Sequence, residues 1–316
     1  MNQSRRAFLK NSLFTAAAAS VIPSGAAFAA ELSERKKRIT GIQLYSVRDD
    51  MRKDPSGTLK ALADMGYQYV EHANYVDRKF YGYEAKEFKK VLDGLGLKML
   101  SGHTRMDPQH WDNAKKDFSD SWKWTVEDAA IVGQQYVISP WLDASLRKTY
   151  DDLLRYMEVF NKSGELCKKS GMKFGYHNHD FEFSTVLDNK KVFDIIMQNT
   201  DPALVAQQLD MGNLYNGGAI AIAVVMQYPD RFELMHVKDE IKAAPAANAG
   251  GDKNAAAEKY ESTILGQGIV NTRQVCDLGK KSGGTRQFII EQESYQGKLP
   301  LDCAKEDLAI MKKWGY

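Results

Sequence analysis

The chain is predicted to fold as a single-domain α/β protein, a (β/α)8 TIM barrel, on three observations. Short apolar or aromatic runs recur eight times along the sequence. Stretches with apolar residues at three- and four-residue spacing separate them, the alternation expected of βα units around a parallel sheet. The region left after an N-terminal export signal, residues 30–316, has the size of such a barrel, typically about 250 residues.

In order, the predicted strands are GIQLYSV (41–47), YQYVEHA (67–73), KMLSGHT (98–104), QYVISPW (135–141), KFGYHNH (173–179), VAQQLDMG (205–212), FELMHVKD (232–239) and QFIIEQE (287–293). They are rich in the β-branched and aromatic residues that suit a pleated, buried surface. Between them DPSGTLKALADMG, EAKEFKKVLDGLG and YDDLLRYMEVFNKSGELCKKSG carry a helical period and end in glycine, which stops a helix by adopting a left-handed backbone. PLDCAKEDLAIMKKWGY opens on Pro300 and supplies the last helix. Two connections break the rhythm. Residues 105–124, with Trp111, Trp122 and Trp124, are long enough to hold a short helix of their own. Residues 241–263, rich in Ala, Gly, Asn and Lys, read as an exposed mobile loop or lid.

Residues 1–29 are set apart. Arg5 and Arg6 precede an Ala-rich apolar stretch and Ala27-Phe28-Ala29, a small-x-small cleavage pattern. This resembles a twin-arginine signal, which implies the twin-arginine export machinery as a partner and a periplasmic location. The apolar stretch is shorter than the roughly 20 residues of a membrane span, so no stable membrane insertion is expected. Removing Arg5, Arg6 and Lys10 with the signal takes the 43 basic residues to 40 against 41 acidic, turning the net charge of +2 into −1. A near-neutral chain with no basic stripe argues against nucleic acid as partner. A homo-oligomer is compatible with this composition. Cys167, Cys276 and Cys303 have no CxxC spacing and fall in predicted helices, so they are read as small buried apolar residues.

In a barrel of this kind the carboxyl ends of the strands form the functional face. His72, His103, His177, His179 and His236 all stand at predicted strand ends, and Glu71, Asp210, Asp239, Glu291 and Glu293 join them. Polar groups at a barrel mouth converge, and a mixture of imidazole and carboxylate suits one divalent metal ion: Mn, Zn, Co, Fe or Mg.

At this point the motifs resemble the xylose isomerase-like sugar isomerases and epimerases, a family that also takes in endonuclease IV and inosose dehydratase. The resemblance runs from about Ile39 to the C-terminus. QLDMGN (208–213) resembles the strand-six motif, implying Asp210 as metal ligand. MHVKD (235–239) resembles the strand-seven motif, implying His236. FIIEQE (288–293) resembles the strand-eight motif, whose glutamate is both ligand and base, implying Glu291. LGQGIVN (265–271) is similar to a glycine-bearing loop before the seventh helix. Many members end strand five with Glu-Asn-His, whereas this chain has His177-Asn178-His179. The dehydratase branch carries histidines here, so His177 is implied as the remaining ligand, with Glu182 as its rival. Strand alternation puts His177 and His179 on one face.

The resemblance implies a metal-dependent sugar isomerase or epimerase working by α-proton abstraction, with Glu291 as base and an enediolate held by the metal, on an unphosphorylated small-molecule sugar. A family member of the usual kind has a glutamate on each face of the enediolate. With His177 in place of one, and a histidine near its ordinary pKa of about 6.5 able to act as general acid, the alternative is a lyase or hydratase acting on a keto-sugar or 3-keto-glycoside. His179 and Glu182 are further catalytic candidates. Glu71, His103, Lys238, Asp239 and Glu293 are expected to bind substrate, and Trp141 or a loop tryptophan to stack on a sugar ring. A non-catalytic periplasmic sugar-binding protein is the reading from a different class. It would use the same aromatic groups but leave the histidine and carboxylate cluster without a role.

Overall fold

A computed structural model describes residues 39–243 and 260–316. The expected export signal therefore lies outside the described residues. Eight parallel strands close into one barrel: β1 (Ile39–Gln43), β2 (Tyr69–His72), β3 (Lys98–His103), β4 (Tyr136–Ser139), β5 (Lys173–His177), β6 (Val205–Asp210), β7 (Leu234–Val237) and β8 (Gln287–Ile290). Each pairs with its neighbours in chain order, and β8 pairs with β1 to close the ring. All eight predicted strands are present, and each is shorter than its sequence run at one end or both. Leu44–Val47, for example, turns into a 3-10 helix instead of continuing β1.

The helices obey the signals read from the sequence. Asp54 accepts a hydrogen bond from the Gly57 amide at the start of Pro55–Met65, and Gly66 ends that helix at φ 100°. Thr149 and Asp152 form a reciprocal capping pair at the head of Tyr150–Lys168. Pro300–Trp314 begins on its proline and stops at Gly315, φ 89°. The three cysteines are buried and unpaired, each inside a helix.

Gly164, in the middle of Tyr150–Lys168, has a different reason to be glycine. A Cβ there would lie 2.6 Å from both the Cβ and the carbonyl oxygen of Leu204, just before β6. The helix can lie this close to the barrel only without a side chain. Gly164→Ala is therefore expected to destabilise the protein by roughly 1–3 kcal/mol through overpacking. This should hold even though alanine gains up to about 1 kcal/mol in helix propensity. Urea titration of the two proteins checks it; a variant as stable as the parent would contradict the close approach.

Inside the barrel the floor is apolar, formed by Ile138, Ala206 and Leu234 with Tyr136. Above it the inward positions turn polar. Between strands and helices lie two larger apolar clusters, one including Ile42, Phe88, Leu209 and Phe288, the other Trp122, Phe160, Phe174 and Tyr176.

The first irregular connection holds a short helix as expected, together with a hairpin; the second differs at its ends. In 105–124 a short 3-10 turn (Pro108–His110) and a two-stranded hairpin (Trp111–Asp112 with Asp117–Phe118) come first. Ser119 then caps the helix Asp120–Val132. Trp122 and Trp124 thus belong to that helix, and Trp122 is fully buried with its indole N–H donating to Ser163 Oγ, 3.0 Å. The expected loop 241–263 is a ribbon at both ends: Asp239–Lys242 pairs antiparallel with Tyr260–Thr263. Residues 244–259 lie outside the described residues. Composition could not reveal the ribbon because its pairing partners are separated by the intervening segment.

Candidate functional site

The site forms where the inward side chains of β5 to β8 meet. Strand alternation turns His177, Gln208, Asp210, His236 and Glu291 inward, while Tyr176, Leu209 and Val237 pack outward. Register places His177 beside Gln208 and Asp210 beside His236. The result is a buried cluster in which donor atoms of His177, Asp210, His236 and Glu291 all lie within 4.8 Å of one another.

The donor orientations suit a cation. His236 Nε2 is 2.6 Å from Glu71 Oε1, while Nδ1 faces the cluster, 3.0 Å from Glu291 Oε2 and 3.8 Å from Asp210 Oδ2. His177 Nδ1 is 3.1 Å from Gln208 Oε1, and its Nε2 points to Asp210 Oδ2 at 3.9 Å. In both cases a hydrogen bond on the far nitrogen sets the tautomer that presents the near one, as metal-ligating histidines require. Asp210 Oδ1 accepts from the Asn213 amide at 2.7 Å. Its Oδ2 is buried without a hydrogen-bond partner, a costly state unless something positive is met there.

Charges in the cluster agree. Burial pushes Asp210 up to about 7, with Lys238 opposing and the Glu291 carboxylate adding to the rise. Burial also acts on Glu291, but Lys238 and His236 outweigh it and hold that carboxyl well below the usual range. His236, penalised by burial, is nonetheless raised to about 10 by Glu291 and Glu71 on either side of it. A divalent cation would let Asp210 ionise and would replace the His236 proton on Nδ1. The residues present therefore fit a metal ion held by His177, Asp210, His236 and Glu291.

Glu182 does not take His177's place. Its carboxylate accepts from the Tyr176 hydroxyl and, at 2.9 Å, from the His179 amide, on the outward side of β5, where burial raises it to about 8. The expectation that histidine here sits near its ordinary pKa is also corrected. Burial, then the neighbouring imidazoles of His236, His103 and His179, push His177 well down, and burial with Lys238 nearby brings His179 to about 3. Neutral imidazoles suit ligation or hydrogen bonding better than proton donation.

Four further expectations need revision. Glu71 is completely buried, and its carboxylate is taken up by inward neighbours. Its carboxylate accepts from Gln43 Nε2 (2.8 Å), Gln208 Nε2 (2.8 Å) and Ser101 Oγ, and lies 3.1 Å from His103 Nε2. Asp239 turns away from the mouth and accepts from the amides of Glu240, Gly266, Gly268 and Val270 at 2.8–3.1 Å. It thereby clasps the LGQGIVN loop, and Gly268 is needed because a Cβ would fall 2.2 Å from Asp239 Oδ1. Trp141 stands edge-on to His179, ring centroids 4.9 Å apart, and buttresses it. His72, counted among the strand-end histidines, faces outward against Phe80.

The remaining candidates do converge. His103, His177, His179, Glu291 and Glu293 line one cavity of about 670 Å³. Lys238 borders an adjoining one with His179, Asn213 and Glu293. Lys238 Nζ lies 3.2 Å from Glu293, 3.5 Å from Glu291 and 3.7 Å from Asp210. Sequence reasoning missed Gln43, Ser101, Gln208 and Asn213. Gln208 was visible as the residue two before Asp210, hence on the same face.

A family model described as xylose isomerase-like TIM barrel matches residues 59–314. Inosose dehydratase from Bacillus licheniformis is 27% identical over 173 residues, which is 52% of this chain and 57% of that protein. The chain thus spans about half the length of the curated relatives it matches. A sugar phosphate isomerase/epimerase from Parabacteroides distasonis superposes with TM-score 0.72 at 24% identity, covering 87% of this chain and 93% of that one. The IOLI protein, solved with a bound zinc atom, reaches TM-score 0.65 at 11% identity, covering 87% of this chain and 97% of that one. At such identities the structural likeness speaks for the fold.

Proposed function

Because the chain belongs to the xylose isomerase-like TIM barrel family, we propose that it is a metal-dependent enzyme removing the α-proton beside the carbonyl of an unphosphorylated keto-sugar. The observation that carries the reading is the buried set His177, Asp210, His236 and Glu291, with Asp210 Oδ2 lacking a hydrogen-bond partner among them. A divalent cation bound there supplies Lewis-acid polarisation of a carbonyl oxygen. Glu291, kept ionised by Lys238 and His236 and lining the cavity, takes the α-proton. Lys238, with Asn213 Oδ1 at 3.3 Å, is placed to hold a substrate oxygen.

An unphosphorylated substrate is favoured because the two arginines lining the cavity are already paired. Arg78 binds Glu127 at 2.9 Å and Asp128 at 2.7 Å, and Arg105 binds Asp107 and, at 3.1 Å, Asp143. β-Elimination is the outcome best supported, since Glu182 is turned outward and the strand-five ligand is an imidazole. Curated relatives that match include inosose dehydratases, which agrees with this choice. Isomerisation is a second reading, favoured by Glu293, a partly exposed carboxylate lining the same cavity. Export through the twin-arginine pathway belongs to the same proposal and rests on Arg5, Arg6 and the pattern at 27–29.

Purified full-length protein is expected to carry about one divalent cation per chain, the load a single set of ligands can hold. Asp210→Ala with His236→Ala should abolish it; elemental analysis that finds unchanged metal would remove the assigned site. Incubation with keto-sugars in heavy water should incorporate deuterium beside the carbonyl. An unsaturated keto-sugar then identifies a lyase, an epimer or aldose–ketose pair an isomerase. No exchange across a broad panel of sugars would point to a binding protein.

A further inference from the structure

The cavity that reaches the buried cluster at His177 and Glu291 does not end there. At the cluster it is lined by His103, His177, His179 and Glu291. It then runs outward over the hairpin after β2 (Tyr75–Val76 with Lys79–Phe80) and the helix Asp120–Val132 after β3, past Val76, Arg78, Ser121, Trp124 and Thr125. A volume of about 670 Å³ lies in the range of sites that enclose drug-sized molecules, not a single small ring.

The outer arm is also unusual in its surface. Among the described residues eight large apolar side chains are exposed, and three of them, Tyr45, Val76 and Trp124, line this one cavity. Apolar surface gathered in a concave site, instead of scattered singly, marks a contact to be made. Trp124 remains 43% exposed although its indole is held in place: the Arg78 guanidinium lies 5.3 Å from the ring centroid. Arg78 in turn is fixed by Asp128 and Glu127, and Tyr75 donates to Asp128 at 2.6 Å. Asp77 and Arg78 both adopt positive φ, 49° and 61°, the tight turn that brings the arginine over the helix. The turn thus places the Arg78 guanidinium against the exposed Trp124 ring.

We propose that this arm is a second-ring subsite: the substrate is a neutral glycoside whose keto-sugar ring occupies the cluster while its second sugar ring lies on Trp124. An aromatic platform with Ser121, Thr125 and Asp77 beside it in the same cavity wall matches a pyranose, with apolar C–H faces and a polar rim. Paired arginines leave no excess charge for an anionic group. The identity of the reacting ring rests on the reaction proposed above; the subsite itself rests on the cavity.

The experiment compares wild type with Trp124→Ala and Trp124→Phe, a position on the helix surface where alanine is well tolerated. Kinetics are measured for keto-disaccharides and for the matching keto-hexose. Wild type is expected to prefer the two-ring substrate by about tenfold or more, the scale of truncating a well-placed aromatic contact. Trp124→Ala should abolish that preference with kcat/KM for the single ring unchanged, and Trp124→Phe should restore part of it. An equal loss for both substrates, or no loss, overturns the subsite. Calorimetric titration with unoxidised maltose, cellobiose, trehalose and sucrose against glucose separates the two readings. If wild type turns over neither keto-substrate, the reaction fails, but disaccharide-selective binding lost in Trp124→Ala still supports the subsite. If none of the disaccharides binds more tightly than glucose and no two-ring preference is seen in the kinetics, the subsite is overturned.

Discussion

Glu291→Gln is expected to lower turnover of a keto-sugar, and deuterium incorporation beside its carbonyl, by at least about 10²-fold, the usual worth of a positioned general base. The substitution keeps the shape of the side chain but removes the negative charge that Lys238, at 3.5 Å, and His236, at 3.0 Å, hold in place. Metal content must be measured on the same preparation. A variant that keeps its metal and loses exchange isolates the base. One that loses both shows ligand and base to be inseparable in this side chain. A variant that keeps its metal and exchanges at the parental rate assigns the proton to another group, with Glu293 next in line.

Asp239→Ala should cost several kcal/mol of stability, roughly 3 or more, because four backbone amides lose their acceptor in a buried setting. Oδ2 accepts from Gly266 and Gly268, Oδ1 from Glu240 and Val270. An asparagine can serve only two of these donors and presents an N–H₂ to the others, so Asp239→Asn should be nearly as harmful. Denaturant unfolding of both variants reads the effect. Had Asp239 bound substrate, as its strand-end position implied, the variants would fold with parental stability and show a raised KM. That pattern would refute the clasp.

Much of this was legible in the sequence, for physical reasons that differ by element. The barrel was visible because helix and strand periodicities alternate eight times and because glycine and proline punctuate the helices where their backbone preferences require. His177, Asp210, His236 and Glu291 were visible because a strand end is a defined place in such a barrel and each residue sits within a recognisable motif. What sequence could not supply is the phase of a strand whose neighbouring residues are both polar. Glu71 and His72 are adjacent, and only the closed barrel decides that Glu71 faces inward and His72 packs on Phe80. Beyond the last paired residue alternation is no longer a sure guide: Glu291 still follows it, while Glu182 and Asp239 do not. Glu182 turns to Tyr176, and Asp239 starts a ribbon instead of ending a strand. The Trp124 arm was hidden for another reason: its wall comes from a hairpin and a helix with Arg78 and Trp124 far apart in sequence.

The carboxylate of Glu71 gathers side chains from β1, β3, β6 and β7, while the cluster it prepares is supplied by the strands from β5 onward. Neither half of the chain therefore contains a competent site. A nascent or truncated polypeptide ending before β6 would hold the anchoring glutamate without Asp210, His236 or Glu291; a C-terminal fragment would hold the ligands with His236 free to turn. On the proposed reading, a metal ion would meet a His236 held in place by Glu71 only once the barrel has closed.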